Sequence, residues 1–144
     1  MTTFNTSREI EAPVDEVFAA FRDPERLSRW WGPAGFTNTF HTFEFETAGR
    51  WVYTMHSPNG GNPENESIFE VVEPPHRVVI RHLSQPLYRL TLELTPVEHG
   101  TRVSWSQEFD DAKVADRIAK IVIPANEQNL DRLSAEVFRN PLRV

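Results

Sequence analysis

Hydrophobic and polar residues alternate with a period of two along most of the chain, and this pattern predicts β-strands. The predicted strands cover residues 2–11, 36–47, 50–57, 66–73, 76–83, 87–95 and 101–109. Short connections, most of which contain glycine or proline, separate the last six. Such connections favour an antiparallel meander over β-α-β units.

Apolar residues three and four positions apart predict helices in two parts of the chain. Residues 14–21 form a first short helix, and residues 24–31 form a second, which Asp23 can cap. A long helix follows the last strand and extends to residue 138. Because proline removes a backbone donor, we expect Pro124 to kink or divide this helix.

The order of these elements is strand, two short helices, six strands and a long helix. A run of strands with helices segregated at its ends is typical of an α+β fold. With 144 residues, the chain is predicted to form a single domain over residues 1–144. Ten Phe, four Trp and two Tyr supply the large side chains that a curved sheet needs to line its inner face.

Charge and composition exclude several classes of function. The formal net charge is −6, which argues against a nucleic-acid partner. The chain has no cysteine, so thiolate chemistry is excluded, and no apolar run approaches the roughly 20 residues of a membrane span. The first residues lack the basic and apolar regions of a leader peptide, so we expect a cytoplasmic protein with no membrane partner.

Several short motifs occur in a characteristic order along the chain. They are REIEAP at 8–13, DPE at 23–25, WWGP at 30–33, AGRWVYTM at 48–55, FEVVEPP at 69–75, GTRV at 100–103 and NLDRL at 129–133. In this order they resemble the START or birch-allergen (SRPBCC) superfamily, in the branch named for the activator of heat-shock protein 90 ATPase (AHSA-type). The chain departs from that pattern at Ala48, where the family usually has glycine, and at residues 127–128, where it often has Gly-Trp.

The resemblance implies a helix-grip fold, in which a curved antiparallel sheet of about seven strands surrounds the long C-terminal helix and leaves an apolar pocket between them. Alternation along the strands, combined with this fold, predicts which side chains reach the pocket. The predicted ligand-binding residues are Phe43, Phe45, Trp51, Tyr53, Met55, His82, Tyr88, Leu90, Trp105 and Gln107 on the sheet, with Asn126, Leu130 and Leu133 on the helix. The segment 30–36 is expected near the mouth.

The sequence carries no pattern of a metal site or an activated nucleophile. None of the five histidines forms an HxH or HxxxH pair, and no Gly-x-Ser-x-Gly motif is present. We therefore predict no metal, no cofactor and no assigned catalytic residue. His41 shares an alternating face with Phe43, and His82 shares one with Ile80, so either imidazole could point into the pocket.

Arg8 is predicted on the inner face of the first strand, together with Ile10. A buried arginine needs an anionic partner, and Glu70 is a candidate if it also points inward. Arg8 would then orient an acidic ligand or belong to a structural ion pair. Alternatively, it lies at a strand end and reaches solvent.

Three functions are compatible with these features. The first is non-enzymatic binding of a small apolar or aromatic molecule in the pocket. The second is a cyclase or dehydratase type of enzyme that uses the same pocket, with His41, His82 or Tyr88 as acid or base. The third, which rests on the family name, is a stress-response module that interacts with a chaperone; a homodimer also stays open.

Overall fold

The computed structural model describes residues 2–139, which form a curved, unclosed antiparallel sheet with helices on its inner side. The elements are β1 (Thr2–Ile10), α1 (Val14–Arg22), α2 (Pro24–Trp30), β2 (Thr37–Phe43), β3 (Gly49–His56), β4 (Glu64–Glu73), β5 (Arg77–His82), β6 (Tyr88–Val97), β7 (Gly100–Phe109) and α3 (Ala112–Arg139). The seven strands lie in the order β1-β7-β6-β5-β4-β3-β2. The predicted α+β helix-grip fold is confirmed.

The two short helices begin where the sequence signals them. Asp23 accepts a hydrogen bond of 3.0 Å from the backbone N–H of Glu25, and Pro24 occupies the first turn of α2. Both features satisfy or remove backbone donors that a helix start leaves without partners. Helix α1 buries Val17, Phe18 and Phe21 against the rest of the core.

The core lies between the concave face of the sheet and helix α3. Strand β7 alternates buried residues, which include Val103 and Trp105, with partly exposed ones. Leu130 and Leu133 of α3 are fully buried in the same cluster. The apolar faces of the last strand and the last helix therefore share one core, where stripes of period 2 and period 3.6 meet.

Strand β2 differs from its predicted form. It is shorter than residues 36–47 and contains a bulge between Phe40 and Thr42. Because a bulge adds one residue, Phe40 and Phe43 both pack against the core. His41 instead lies exposed on the outer side and shares a hydrogen bond of 2.8 Å with Thr54. The suggestion that His41 points into the pocket was wrong, because simple alternation does not survive a bulge.

Helix α3 is also not divided at Pro124. It runs as one element of 28 residues from Ala112 to Arg139 and contains the proline in its interior. Pro124 and Lys120 are both exposed. Water can therefore hydrogen-bond to the Lys120 carbonyl, which loses its helical donor at the proline.

Ala48, where the chain departs from the usual glycine, lies in the turn before β3. This residue has a φ of 71°, in the left-handed region where glycine is the unstrained choice. At the next position, a Cβ atom on Gly49 would lie 2.0 Å from the backbone oxygen of Glu44. Glycine is required at residue 49, whereas alanine at residue 48 is tolerated with some strain.

Candidate functional site

A cavity of about 140 Å³ lies between the sheet and the middle of α3. Aromatic and aliphatic side chains make most of its wall, with a few amide and hydroxyl groups among them. The lining residues are Trp31, Gly32, Pro33, Tyr53, Met55, Tyr88, Leu90, Trp105, Gln107, Val122, Ala125, Asn126 and Asn129. A concave apolar site with few polar groups is the usual form of a small-molecule site.

The sheet contributes pairs of residues two positions apart on three strands. Tyr53 and Met55 come from β3, and Tyr88 and Leu90 come from β6. Trp105 on β7 is followed by Gln107 in the same way. This spacing follows from the pleat of a strand, which brings residues i and i+2 to the same face.

The loop after α2 closes one side of the cavity and is held by Arg132 of α3. The guanidinium donates hydrogen bonds of 2.7–3.3 Å to backbone carbonyls of Arg29, Trp31, Gly32, Pro33 and Phe36. Burial lowers the pKa of Arg132. The carbonyl dipoles solvate the charge and at the same time fix the loop against the helix.

Asn129 and Gly32 complete the fixation of this loop. The Asn129 amide donates to the carbonyl of Trp30 at 2.9 Å and accepts from the backbone N–H of Gly32 at 3.3 Å. Gly32 has a φ of +97°, and a Cβ atom there would lie 2.8 Å from the Met55 Cε. The backbone therefore approaches the cavity wall at a point that only glycine fits without strain.

The polar groups of the cavity are neutral. The Tyr53 hydroxyl accepts a hydrogen bond of 3.2 Å from the Trp31 indole, and burial raises the pKa of Tyr53 well above its ordinary value. Burial likewise raises the pKa of Tyr88. The Asn126 amide donates to the Gln107 side-chain oxygen at 3.0 Å. In the described part of the chain, no charged side chain lines the cavity.

Some of the predicted site residues line this cavity and others lie behind it. Those that line it are Tyr53, Met55, Tyr88, Leu90, Trp105, Gln107 and Asn126. Phe43, Phe45, Trp51, His82, Leu130 and Leu133 do not. Trp51, for example, is enclosed by other aromatic rings, with Phe69 stacked at 5.4 Å, so it belongs to the core.

His82 is buried next to the cavity but does not face it. Its Nδ1 lies 2.8 Å from the carbonyl oxygen of Pro86, and its Nε2 lies 2.8 Å from the Asn65 Oδ1. The ring stacks on Tyr88 at 4.5 Å, and burial lowers the pKa of His82. Both ring nitrogens are thus engaged by the protein, and the imidazole supports the wall from behind.

Arg8 and Glu70 do not pair. The Arg8 guanidinium contacts Asp131 at 2.7 Å and Glu127 at 3.2 Å, both on α3, whereas Glu70 pairs with Arg89 at 2.6 Å. The suggested ion pair inside the pocket was wrong because β1 is an edge strand beside α3. From that edge Arg8 reaches the partly exposed side of the helix.

Sequence reasoning missed three cavity residues on the helix: Val122, Ala125 and Asn129. Together with Asn126 they have the spacing i, i+3, i+4 and i+7, which places them on one helical face. The two asparagines were the available signal, because buried amides on an inner face need partners. Their face was hidden by the stronger apolar stripe of Leu130 and Leu133.

Two negative findings apply to residues 2–139. No group of three or more His, Asp or Glu side chains is arranged to hold a metal ion within this range. Among the helices described there, none combines the length and hydrophobicity that a transmembrane span needs.

The model of the family "Activator of Hsp90 ATPase homolog 1-like protein" matches residues 11–137, so the chain belongs to this family. A search of curated protein sequences found no match. The fold is similar to a Nitrosomonas europaea protein, with a TM-score of 0.85 at 17% identity over 95% of this chain and 94% of the other.

Two further solved structures share the fold. A protein from Arthrobacter aurescens has a TM-score of 0.85 at 24% identity, over 96% of this chain and 87% of the other. An AHSA1-like protein from Aeromonas hydrophila has a TM-score of 0.76 at 18% identity, over 99% of both chains.

Proposed function

We propose that the chain binds a small, ring-containing, mostly apolar molecule in the cavity between the sheet and α3, without transforming it chemically. The observation that supports this proposal is the cavity itself, which combines aromatic walls with a volume of about 140 Å³. An apolar protein cavity of about 150 Å³ is large enough to hold benzene. The expected ligand is therefore a single substituted ring.

Affinity should be modest, because a molecule of this size can bury only a small area. The driving force would be burial of apolar surface, from which the cost of immobilising the ligand is deducted. Dissociation constants between about 10 µM and 1 mM are expected for such a ligand. Arg132 holds the loop beside the cavity, so the loop needs no ordering when the ligand binds. This favours the tighter end of the range, near a dissociation constant of about 10 µM.

Catalysis has weaker support than binding. Of the three candidate acid or base residues, only Tyr88 lines the cavity, and burial raises the pKa of its phenol well above the ordinary value. A general acid or base works best when its pKa lies near the working pH. Tyr88 is therefore poorly suited to proton transfer at neutral pH.

Tryptophan fluorescence tests the proposal directly, because Trp31 and Trp105 line the cavity. Toluene is titrated against the full chain with excitation at about 295 nm, where toluene itself absorbs little. Saturable change in emission is expected. The matched control is Ala125→Leu, which extends a side chain from the helix wall into the cavity and should abolish the change. A flat titration of the parent protein would contradict the proposal.

A second candidate function is protein interaction, in line with the chaperone named in the family description. Ile121 and Ile123 of α3 are 69% and 51% exposed, so this part of the helix offers apolar side chains that a protein partner could cover. If they contact a chaperone, the chain should stimulate Hsp90 ATPase activity and Ile121→Glu/Ile123→Glu should not. An unchanged ATPase rate with the parent protein would remove this candidate. A cytoplasmic location, a stress-response role and a homodimer also stay predictions.

A further inference from the structure

The paired amides of Gln107 and Asn126 have hydrogen-bonding capacity that the protein does not use. One bond of 3.0 Å joins the Asn126 nitrogen to the Gln107 oxygen. Each side-chain amide offers two N–H donors and one carbonyl acceptor. Within the described residues, the Gln107 nitrogen and the Asn126 oxygen make no further hydrogen bond, although both residues line the cavity and are only 8% exposed.

This unused capacity does not depend on how the two amides are oriented. If both were rotated by 180°, the Gln107 nitrogen would donate to the Asn126 oxygen. A free carbonyl would then remain on Gln107 and a free NH₂ group on Asn126. In either arrangement the pair presents one donor group and one acceptor to the cavity.

Other polar atoms near the cavity are less suited to hydrogen-bonding to a ligand. The Trp105 indole N–H has no partner among the described residues, but it is completely enclosed, so a bound molecule cannot reach it in this conformation. The Tyr53 hydroxyl already accepts from Trp31. Tyr88 is the main competing group, because it lines the cavity and its hydroxyl makes no hydrogen bond within the described residues.

Because the described cavity wall carries no charge, the chemical class of the ligand is limited further. All lining side chains described here are apolar or neutral. A carboxylate or an ammonium group would lose its hydration on entry and find no counter-ion, which is strongly unfavourable. A hydroxyl group is uncharged, and it can donate to the free carbonyl and accept from the free NH₂ group at the same time.

We propose that the cavity selects an uncharged single-ring molecule that carries a hydroxyl group, and that the Gln107–Asn126 amide pair recognises this hydroxyl. This inference rests on the proposed binding function and adds the chemical class of the ligand. It also assigns a role to Gln107 and Asn126 beyond their contact with each other.

Three probes of similar size test this selectivity on the unmodified chain: phenol, toluene and benzoate. Phenol replaces the methyl group of toluene by a hydroxyl, and it should bind about threefold to tenfold more tightly, as expected for one or two net hydrogen bonds. Benzoate should bind at least tenfold more weakly than phenol. If toluene binds and phenol binds no better, the inference is wrong and the proposed function stands. If none of the probes binds, both are wrong.

Two variants assign the selectivity to particular residues. Gln107→Leu/Asn126→Leu removes both amides at nearly constant volume and should abolish the preference for phenol while toluene still binds. Tyr88→Phe should keep the preference. Loss of preference in Tyr88→Phe, or its retention in the double variant, would overturn the assignment to the amides.

A spectroscopic measurement on the unmodified chain covers the case in which the double variant does not fold. In a ¹⁵N-¹H spectrum, the side-chain NH₂ signals of Gln107 and Asn126 should shift more with phenol than with toluene at equal saturation. Equal shifts with both probes would contradict a direct hydrogen bond to the hydroxyl.

Discussion

The two halves of helix α3 have different surroundings. After Asn126 one face of the helix is buried, and Leu130, Leu133 and Val137 on that face have no exposed surface. Before that point Ala115 is buried, but Ile121 and Ile123 are exposed at 69% and 51%, and Val122 and Ala125 face a cavity instead of a packed core. The C-terminal half therefore stabilises the fold, whereas Val122 and Ala125, at the end of the N-terminal half, border the cavity that is proposed to bind a ligand.

Buried charges reinforce the C-terminal half. Glu136 accepts hydrogen bonds from Arg26 at 3.2 Å and from Arg29 at 2.9 Å, and the side chains of Glu136 and Arg26 are 3% and 4% exposed. This network joins α3 to α2, whose following loop closes the cavity. Buried charges thus fix one end of the helix, while the other end borders an unfilled space.

The largest effect on stability is expected from Glu136→Ala. It leaves the buried guanidinium of Arg26 without its anion, and breaking such a pair costs about 3–5 kcal/mol. Urea unfolding at neutral pH measures the loss. The matched control is Asp131→Ala on the same helix, whose 67% exposed carboxylate pairs with Arg8 and should contribute less than about 1 kcal/mol. Equal losses in the two variants would show that the buried Glu136–Arg26 pair fixes this half of the helix no better than the exposed Asp131–Arg8 pair does.

The same residue predicts how stability depends on pH. Burial raises the pKa of Glu136, but the hydrogen bonds from Arg29 and Arg26 outweigh it, and the pKa is lowered overall. A lowered pKa in the folded state gives stability above the unfolded value, near pH 4.3, that is lost as the pH falls through the folded value. Glu136→Gln should therefore show a weaker decline in unfolding free energy below pH 4 than the parent protein. A parallel decline would show that other carboxylates dominate.

A smaller loss is expected from Arg132→Met. The variant removes the donors for the carbonyls of the cavity loop, and partial hydration of those carbonyls should limit the cost to about 1–3 kcal/mol. Ligand affinity should fall as well, because the loop then needs ordering when the ligand binds. Arg132→Lys keeps the charge without the planar fork and should recover only part of both losses. Full recovery by lysine would mean that charge alone holds the loop.

In the N-terminal half, Ala125→Leu should change the unfolding free energy by less than about 1 kcal/mol, because the added atoms enter existing space and both residues favour helices. The change in binding should nevertheless be large, at least tenfold for toluene. A loss of more than about 2 kcal/mol would show that the wall is tightly packed at this position.

The smallest effect is expected at the exposed positions of the same half. Ile121→Ala and Ile123→Ala should each change the unfolding free energy by no more than about 0.5 kcal/mol. They should leave toluene binding intact, because neither residue lines the ligand cavity. A clear loss of stability would show that these side chains are covered in solution, for example by a second copy of the chain.

The alternation of apolar and polar residues and the helical spacing of apolar residues predicted most of the fold. The strands β3 to β7 lie close to their predicted ranges because each has one face on the core, and turn residues mark their ends. The errors came from features that periodicity does not encode. The bulge in β2 changed the direction of His41, and the edge position of β1 gave Arg8 its partners on α3.

The cavity was predictable only in part for a similar reason. Tyr88, Leu90 and Trp105 were found because alternation reports which face of a strand is inward. It does not report where along that face packing ends and open space begins, so the core residues Trp51 and Leu133 were included with them. That boundary depends on the curvature of the sheet and on where α3 crosses it.

A ¹⁵N-¹H titration of the full chain with toluene tests the binding claim most directly, because it reports both whether the ligand binds and where. Saturable shifts are predicted for the backbone amides of Gly32 and Ala125 and for the indole N–H of Trp105, because these three residues line the cavity. The Trp105 N–H is itself enclosed, but a ring bound beside the indole should still shift its signal. The same addition should leave these signals of Ala125→Leu in place. Shifts that are absent, or that concentrate on outer-face residues such as Glu93 and Ser106, would contradict a ligand site between the sheet and the last helix.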